Sequence, residues 1–235
     1  MKIEEATDTI AQFFNDLIGA WVPGVVLVVG LVLMHLGPMQ LQSIFQLGDS
    51  TAAALTFAGI LFAIGHALLA LHEQILKKLL ATVGFAKSFS ETEAKKRQSY
   101  KWFAELVKAQ QTGSGETDWN YNDLRSVALS VSAEAASIGR RFMFISLLCN
   151  GVSTALAILA FDFAACSLFL PKLLFGYDYT VPWFAQVLLL LGMALVLFKH
   201  GEVFYNRAMA TPFSIAIAEL KFKKDANAGG TTLAS

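Results

Sequence analysis

Apolar residues gather in four stretches along the chain, and polar residues fill the segments between them. Each stretch is close to the roughly 20 residues that an α-helix needs to cross about 30 Å of hydrocarbon. No lysine or arginine interrupts any of them. The pattern therefore predicts four transmembrane helices, at Trp21–Leu36, Ala52–Leu71, Phe142–Phe161 and Trp183–Phe198.

The segment between the second and third spans has a helical pattern of its own. Apolar residues recur at helical spacing over 72–85, as a continuation of the second span. Ser90–Glu93 has the form of a capping box and predicts a helix that reaches Gln111. After a glycine-containing loop over 112–118, a helical pattern resumes at Trp119 and enters the third span without a break. These residues predict an inserted helical hairpin.

Both ends of the chain also show helical patterns. Met1–Gly19 has apolar residues on one face and acidic residues on the other, and it lacks the basic start of a signal peptide. Thr211–Pro212 fits the N-cap and first turn of a last helix. The low-complexity residues Ala226–Ser235 are expected to be disordered.

The distribution of basic residues predicts the orientation of the bundle. The segment between the second and third spans carries eleven lysines and arginines, and five more follow the fourth span. The connection Gly37–Thr51 carries none, and the connection after the third span carries only Lys172. Because basic residues stay on the cytoplasmic side, the sequence predicts a multi-pass inner-membrane protein with both termini and the insert in the cytoplasm.

Together these patterns predict an all-α integral membrane protein, an antiparallel bundle of four transmembrane helices with a cytoplasmic helical hairpin. The chain then divides into five segments. They are an amphipathic helix at 1–19, a transmembrane hairpin at 20–71, the cytoplasmic insert at 72–141, a second transmembrane hairpin at 142–199, and a C-terminal helix with a disordered tail at 200–235.

Composition supports this class and limits the partners. Hydrophobic residues make up 55% of the chain and charged residues 15%, against about a quarter charged in soluble domains. The formal net charge is zero, but one base against four acids leaves minus three over 1–19, and eleven bases against eight acids leave plus three over 72–141. A surplus of three is too small for nucleic acid. The expected partners are membrane lipid, further copies of this chain and a cytoplasmic protein.

Small residues recur every four positions on the second span. Such rows let helices approach closely in lipid, where the usual hydrophobic drive is missing. The sequence therefore predicts that Gly59, Ala63 and Ala67 form the central packing seam of the bundle.

Antiparallel spans would bring several polar side chains to one level at the inner membrane boundary. Three interpretations stay open: a self-neutralising network that fixes the bundle, a proton-sensitive or ion-conducting gate, and a metal or hydrolytic centre. The predicted cluster comprises His66, His72, Glu73, Arg140, Arg141, His200, Glu202 and Arg207.

A polar stripe also follows the helix that leads into the third span. In a symmetric oligomer it would line a wet vestibule, and in a monomer it would allow close helix packing. Its residues are Ser126, Ser130, Glu134 and Ser137.

No catalytic motif is present in the sequence. His72-Glu73 begins like a zinc-protease helix, but Leu76 stands where the second histidine is required. Cys149 and Cys166 are 17 residues apart on one predicted helix, about 25 Å, and cannot form a disulfide with each other. His35 and Asp162 are expected at the outer interface. We therefore predict no catalytic residue, no metal and no cofactor.

These observations favour a non-enzymatic, oligomeric four-span protein of the inner membrane. Its cytoplasmic hairpin would receive a signal or partner, and its bundle would act as a channel or as a membrane anchor. The membrane component of a multi-gene defence system belongs to this class. The alternative is an intramembrane enzyme that acts on lipid or peptide through His66, Glu73, His200 and Glu202.

Overall fold

The structure is a computed structural model that describes residues 3–46, 50–87, 89–110, 119–175 and 181–229. All regular structure in these ranges is helical. A π-helical turn, His72–Leu76, joins α3 to α4, and a 3₁₀ turn, Pro171–Leu173, follows α8. The helices are α1 (Ile3–His35), α2 (Pro38–Gln46), α3 (Thr51–Leu71), α4 (Lys77–Thr82), α5 (Glu91–Lys96), α6 (Gln98–Gln110), α7 (Tyr121–Val131), α8 (Ala133–Phe169) and α9 (Trp183–Gly229).

Four helical segments are long and apolar enough to cross a membrane, as the hydrophobic pattern predicted. Helices α8 and α9 extend well beyond the predicted spans, with 37 and 47 residues. At 1.5 Å per residue these helices measure about 55 and 70 Å, well beyond the roughly 30 Å of a hydrocarbon layer. The candidate spans are Ile18–His35, Thr51–Thr82, Ala133–Phe169 and Trp183–Lys221.

The chain forms two compact units. One, here called the apolar unit, comprises Met1–Lys87 and Phe144–Glu202. The other, the polar unit, comprises Ser88–Met143 and Val203–Ser235. Helices α8 and α9 contribute residues to both units, and residues 88–141 of the insert share their unit with the end of α9, whereas residues 72–87 belong to the apolar unit.

Direct backbone contact joins α1 to α3 in the apolar unit. A methyl group placed on Gly65 would overlap the carbonyl oxygen of Ala20, and one placed on Gly24 would overlap that of Leu61. Only glycine allows this approach. Leu61, Gly65 and Leu68 are the buried residues of α3, and they follow each other at the spacing of one helix face.

Helix α8 lies at the centre of the apolar unit. In its candidate span 56% of the most apolar window is buried, against 17% for α3. Small residues permit this position, since Ala155 and Ala160 are fully buried and Gly151 packs directly against Pro23. The core cluster here is built from Leu156, Ala157, Leu159 and Ala194, with α1 side chains packed on it.

The second span does not pack within the chain through the predicted row of small residues. Gly59, Ala63 and Ala67 are exposed, and nothing lies within 4 Å of a methyl group placed on Gly59. Small residues occur on two faces of α3, and α1 packs on the face that contains Gly65.

Tyr121 is the centre of the polar unit. It is stacked on Tyr100 with ring centroids 5.4 Å apart, and it contacts Phe89 and Phe213 edge-on or tilted. Its hydroxyl donates to the carbonyl of Met209 at 2.9 Å. Burial raises the pKa of the Tyr121 hydroxyl to about 12, so this donor keeps its proton. The buried cluster also includes Ala94, Phe103, Val107, Leu124, Ala128, Ala216 and Ile217.

Pro212 lies inside α9. The prediction that it begins a separate last helix is therefore wrong. Proline has no N–H, so the carbonyl of Ala208, four residues earlier, loses its helical donor. Arg125 supplies the missing bonds: its Nε and Nη2 atoms both donate to that oxygen at 3.2 Å. The helix therefore continues because a side chain 83 residues away replaces the lost hydrogen bond.

Other helix ends differ from the prediction in smaller ways. The Ser90 half of the capping box is confirmed, since the Ser90 hydroxyl accepts the Glu93 N–H at 3.3 Å, whereas the Glu93 carboxylate pairs with Lys96. Arg97 separates α5 from α6. Ser132 interrupts the pattern that was expected to run unbroken into the third span. Its hydroxyl accepts the Ala135 N–H at 3.1 Å and so caps α8.

The ends of the chain compare as follows. Helix α1 runs from Ile3 into the first span, so the predicted N-terminal helix is helical but continuous with the span. Helix α9 continues to Gly229. The predicted loop over 112–118 and the last residues of the predicted disordered tail, 230–235, lie outside the described residues.

We predict that Gly65→Ala will destabilise the apolar unit by about 2 kcal/mol, because its methyl group forces α1 and α3 apart. The thermal midpoint in detergent should fall by about 4–8 °C. Gly192→Ala is the matched control, since nothing lies within 4 Å of a methyl group there, and its midpoint should not fall. Equal midpoints for the two variants would contradict the proposed backbone contact.

We predict that Arg125→Met will cost about 2 kcal/mol of unfolding free energy, because the buried Ala208 carbonyl loses its donors. Pro212→Ala restores a backbone N–H at the position where the helix needs one. In that background the cost of Arg125→Met should therefore fall below about 1 kcal/mol. Thermal unfolding of the four proteins in the double-mutant cycle measures this. The same cost in both backgrounds would show that Arg125 acts in another way.

Candidate functional site

His72 is the most buried residue of the predicted polar cluster, with 2% of its surface exposed. It is the first residue of the π-helical turn His72–Leu76. Turns of this kind occur mostly as single interruptions of α-helices and are frequent at functional sites. The ring of His72 lies 5.4 Å from that of Phe198 on α9. The charged residues whose fields act on it are Glu73, Lys77 and Glu202.

The hydrogen bonds around His72 fix its tautomer. Its Nδ1 atom lies 3.1 Å from the Thr154 hydroxyl, and that hydroxyl donates its only proton to the carbonyl of Asn150 at 2.9 Å. The hydroxyl can therefore only accept from the histidine. It follows that Nδ1 of His72 carries a proton.

Further buried polar residues lie on α8, on the N-terminal side of Thr154. Ser146 donates to the carbonyl of Gly201 at 2.9 Å, and Ser153 donates to that of Ala194 at 2.7 Å. Asn150 packs directly on Gly201. Its Oδ1 atom is buried and has no hydrogen-bond partner among the described residues. These side chains join α8 to the backbone of α9, as expected for polar residues between apolar helices.

Glu202 and Lys199 bind the segment after α4 to α9. They form an ion pair at 2.9 Å, and Glu202 also accepts the backbone N–H of Lys87 at 2.7 Å. Lys199 donates to the carbonyl of Phe85 and lies 4.4 Å from the centre of its ring. Both charges therefore have structural partners.

The remaining cluster residues of the apolar unit are exposed. Glu73 forms an ion pair with Lys77 at 2.7 Å. The ring of His66 meets that of Phe62 edge-on at 4.4 Å. His200 lies on an exposed part of α9. The two carboxylates of the cluster are thus each held by a lysine, an arrangement that fits a self-neutralising network.

Three members of the predicted cluster belong to the polar unit. Arg140, Arg141 and Arg207 are all exposed, and the Arg207 guanidinium lies 5.5 Å from the ring of Phe204. The eight residues are thus divided five to three between the units. The gate interpretation stays a prediction.

The predicted vestibule stripe is divided between two helices by Ser132. All four of its residues are exposed. Two hydroxyls donate to carbonyls of their own helix, Ser126 to Asn122 and Ser130 to Val127. Its remaining residues are Glu134 and Ser137, and the vestibule role stays a prediction.

One contact was missed by sequence reasoning. His35 at the end of α1 lies 2.7 Å from Asp162 of α8, measured from Nε2 to Oδ2. Both residues were expected at the same level but were considered separately. Residues 127 positions apart are paired only by the packing of α1 on α8, and hydrophobic periodicity does not contain that information.

No protein-family model, curated protein or solved structure matches this chain. The fold itself defines a class, a helical protein with four helices long and apolar enough to span a membrane.

We predict that Thr154→Val will move the proton of His72 away from Nδ1, because valine has the shape of threonine but offers no acceptor. Nitrogen-15 NMR of histidine-labelled protein reports which ring nitrogen is protonated, and His72→Gln assigns the signal. Thr154→Ser is the control, since it keeps the hydroxyl and should keep the Nδ1 proton. The same signal in the wild type, Thr154→Val and Thr154→Ser would contradict the assigned hydrogen bond.

Proposed function

We propose that this chain is a non-enzymatic, homo-oligomeric protein of the inner membrane. Its four long helices span the bilayer, with both termini and the polar unit in the cytoplasm. The polar unit receives a protein partner or signal. The bundle either conducts ions in response or holds a complex at the membrane.

Exposed apolar residues on the candidate spans support insertion in a bilayer. On α9 alone Leu188, Leu189 and Val196 are each at least 65% exposed. A soluble protein rarely leaves so continuous an apolar surface in water, and a lipid bilayer removes the cost. The orientation rests on the basic residues of the polar unit.

The observation that carries the oligomer is the unpartnered face of α3. Gly59, Ala63, Ala67 and Ala70 are exposed, whereas the opposite face packs on α1. This face is smooth enough for a second helix to approach closely. A second copy of the chain, which offers the same face, is the simplest partner for a symmetric assembly.

His66 adds a reason for this face to be covered. It lies on the same side of α3, within the candidate span, and the described residues give it no hydrogen bond. A polar ring left in hydrocarbon is costly, and such residues usually face a protein partner or a water-filled cavity. Contact between copies along α3 places His66 at the interface or in a central pore.

The polar unit has features of a binding surface for a protein. Trp102 on α6 is 47% exposed, and the Nζ atom of Lys221 lies 4.6 Å from the centre of its ring. Tryptophan is enriched at protein interfaces. Helix α6 carries Lys101 and Lys108 against Glu105, so it has a small positive charge.

We predict that Ala63→Cys, made with Cys149→Ala and Cys166→Ser, will form disulfide-linked dimers in native membranes. Val196→Cys is the control, since Val196 is exposed on α9, and it should cross-link weakly. Adding Gly59→Leu should abolish the Ala63→Cys dimer without lowering the thermal midpoint, because a methyl group at Gly59 has no atom of its own chain within 4 Å.

Native mass spectrometry in mild detergent and ion flux in proteoliposomes complete the test. A strictly monomeric chain with no cross-link at Ala63 would contradict the proposed oligomer. An oligomer that conducts ions and loses flux in His66→Ala supports the channel version. An oligomer without flux supports the anchor version.

A further inference from the structure

We infer that the chain binds one transition-metal ion, Zn²⁺ by its ligand chemistry, where the end of α1 meets α8. The ligands are His35, Asp162 and Cys166. Their ligand atoms all lie within 4.8 Å of one another, and no other set of three such side chains does so in the part of the chain that the structure describes. This inference is independent of the proposed function.

The two helices supply the ligands from different directions. Asp162 and Cys166 are four residues apart on α8 and so share one face, with the Cys166 Sγ atom 4.0 Å from Asp162 Oδ1. His35 comes from the last turn of α1. The site therefore forms only when α1 is packed on α8.

A second layer of contacts holds the His35 ring in a ligand orientation. Its Nδ1 atom lies 3.0 Å from the carbonyl of Leu173, and an oxygen of this kind can only accept. Nδ1 therefore carries a proton and donates it, as is usual for histidines that bind a metal through Nε2. The Phe175 N–H donates to the carbonyl of Met34 at 2.8 Å and fixes this segment against α1.

This orientation turns the Nε2 lone pair of His35 toward the carboxylate. Nε2 and Asp162 Oδ2 lie 2.7 Å apart, and without a proton between them both atoms are acceptors. The gap must therefore contain a cation. A proton satisfies it in the metal-free chain, and a metal ion replaces that proton when it binds.

The distances require only a small adjustment to accept the ion. Zn²⁺ binds histidine nitrogen and carboxylate oxygen at about 2.0–2.2 Å and thiolate sulfur at about 2.3 Å. Tetrahedral ligands then lie roughly 3.3–3.8 Å apart. Nε2 and Oδ2 have to separate by several tenths of an ångström, and Sγ has to move inward. Binding displaces the thiol proton and the proton shared by His35 and Asp162.

The ligand set selects the type of metal and leaves one position open. Mg²⁺ and Ca²⁺ prefer oxygen ligands, whereas a set of nitrogen, oxygen and sulfur suits Zn²⁺. The side chains of His35 and Asp162 are 26% and 30% exposed, whereas Cys166 is buried, so the open position lies on the side of His35 and Asp162. Three protein ligands with an accessible fourth position define a site that holds water or an external ligand.

Metal content of the purified full chain in detergent tests this inference. A chelator first removes any bound metal from the protein. Dialysis against Zn²⁺ should then give one zinc ion per chain, measured by elemental mass spectrometry. His35→Gln, Asp162→Asn and Cys166→Ser should each weaken binding by at least about tenfold. Cys149→Ser and His66→Gln, which change the same residue types elsewhere, should bind zinc like the wild type.

Cobalt substitution tests the thiolate directly. Co²⁺ should produce a thiolate charge-transfer absorption in the wild type and in Cys149→Ser, but not in Cys166→Ser. Zinc should also protect Cys166 from alkylation in the Cys149→Ser protein, a measurement that needs no change in the ligands. Substoichiometric zinc in the wild type, or equal zinc affinity in wild type, Cys166→Ser and His35→Gln, would overturn the site and leave a hydrogen-bonded ion pair.

Discussion

Direct contact between the backbones of α1 and α3 sets the arrangement of the apolar unit. In the bilayer that we propose around this unit, apolar helices gain little from hydrophobic burial against one another, so close packing of small residues has to hold them together. The contact of Gly65 with Ala20 fixes the rotation of α3 about its own axis. Because His72 lies on the same face, this rotation buries it against Thr154, and it leaves His66 on the opposite, exposed side.

Hydrogen bonds from side chains to backbone carbonyls act as a second type of helix contact. In the apolar unit Ser146 and Ser153 of α8 donate to carbonyls of α9. In the polar unit Arg125 donates to the Ala208 carbonyl that Pro212 leaves open. Each bond satisfies a polar group and fixes the relative height of two elements, which apolar packing alone specifies weakly. The fold therefore depends on a few directional hydrogen bonds from side chains to backbone carbonyls.

The parts of this fold that local chemistry determines could be predicted from sequence. Hydropathy over about 20 residues identifies a long apolar helix whatever it packs against, and the Ser90 cap involves only neighbouring residues. The choice between two small-residue faces of α3 depends on α1, so the pattern alone could not show it. Pro212 was misassigned for the same reason, since the Arg125 side chain that compensates for it lies 83 residues from Ala208. The pairing of His35 with Asp162 likewise needed the packed structure.

The balance of donors and acceptors separates structural polar groups from those that require something outside the chain. Glu202, with a lysine and a backbone N–H, has its partners within its own unit. His66 has an exposed ring in a candidate span, and the proposed second copy would supply the missing environment. His35 and Asp162 share a proton in the metal-free chain, and the proposed metal ion would replace it. The two sites therefore differ in the partner proposed for each, a second copy at α3 and a metal ion at the end of α1.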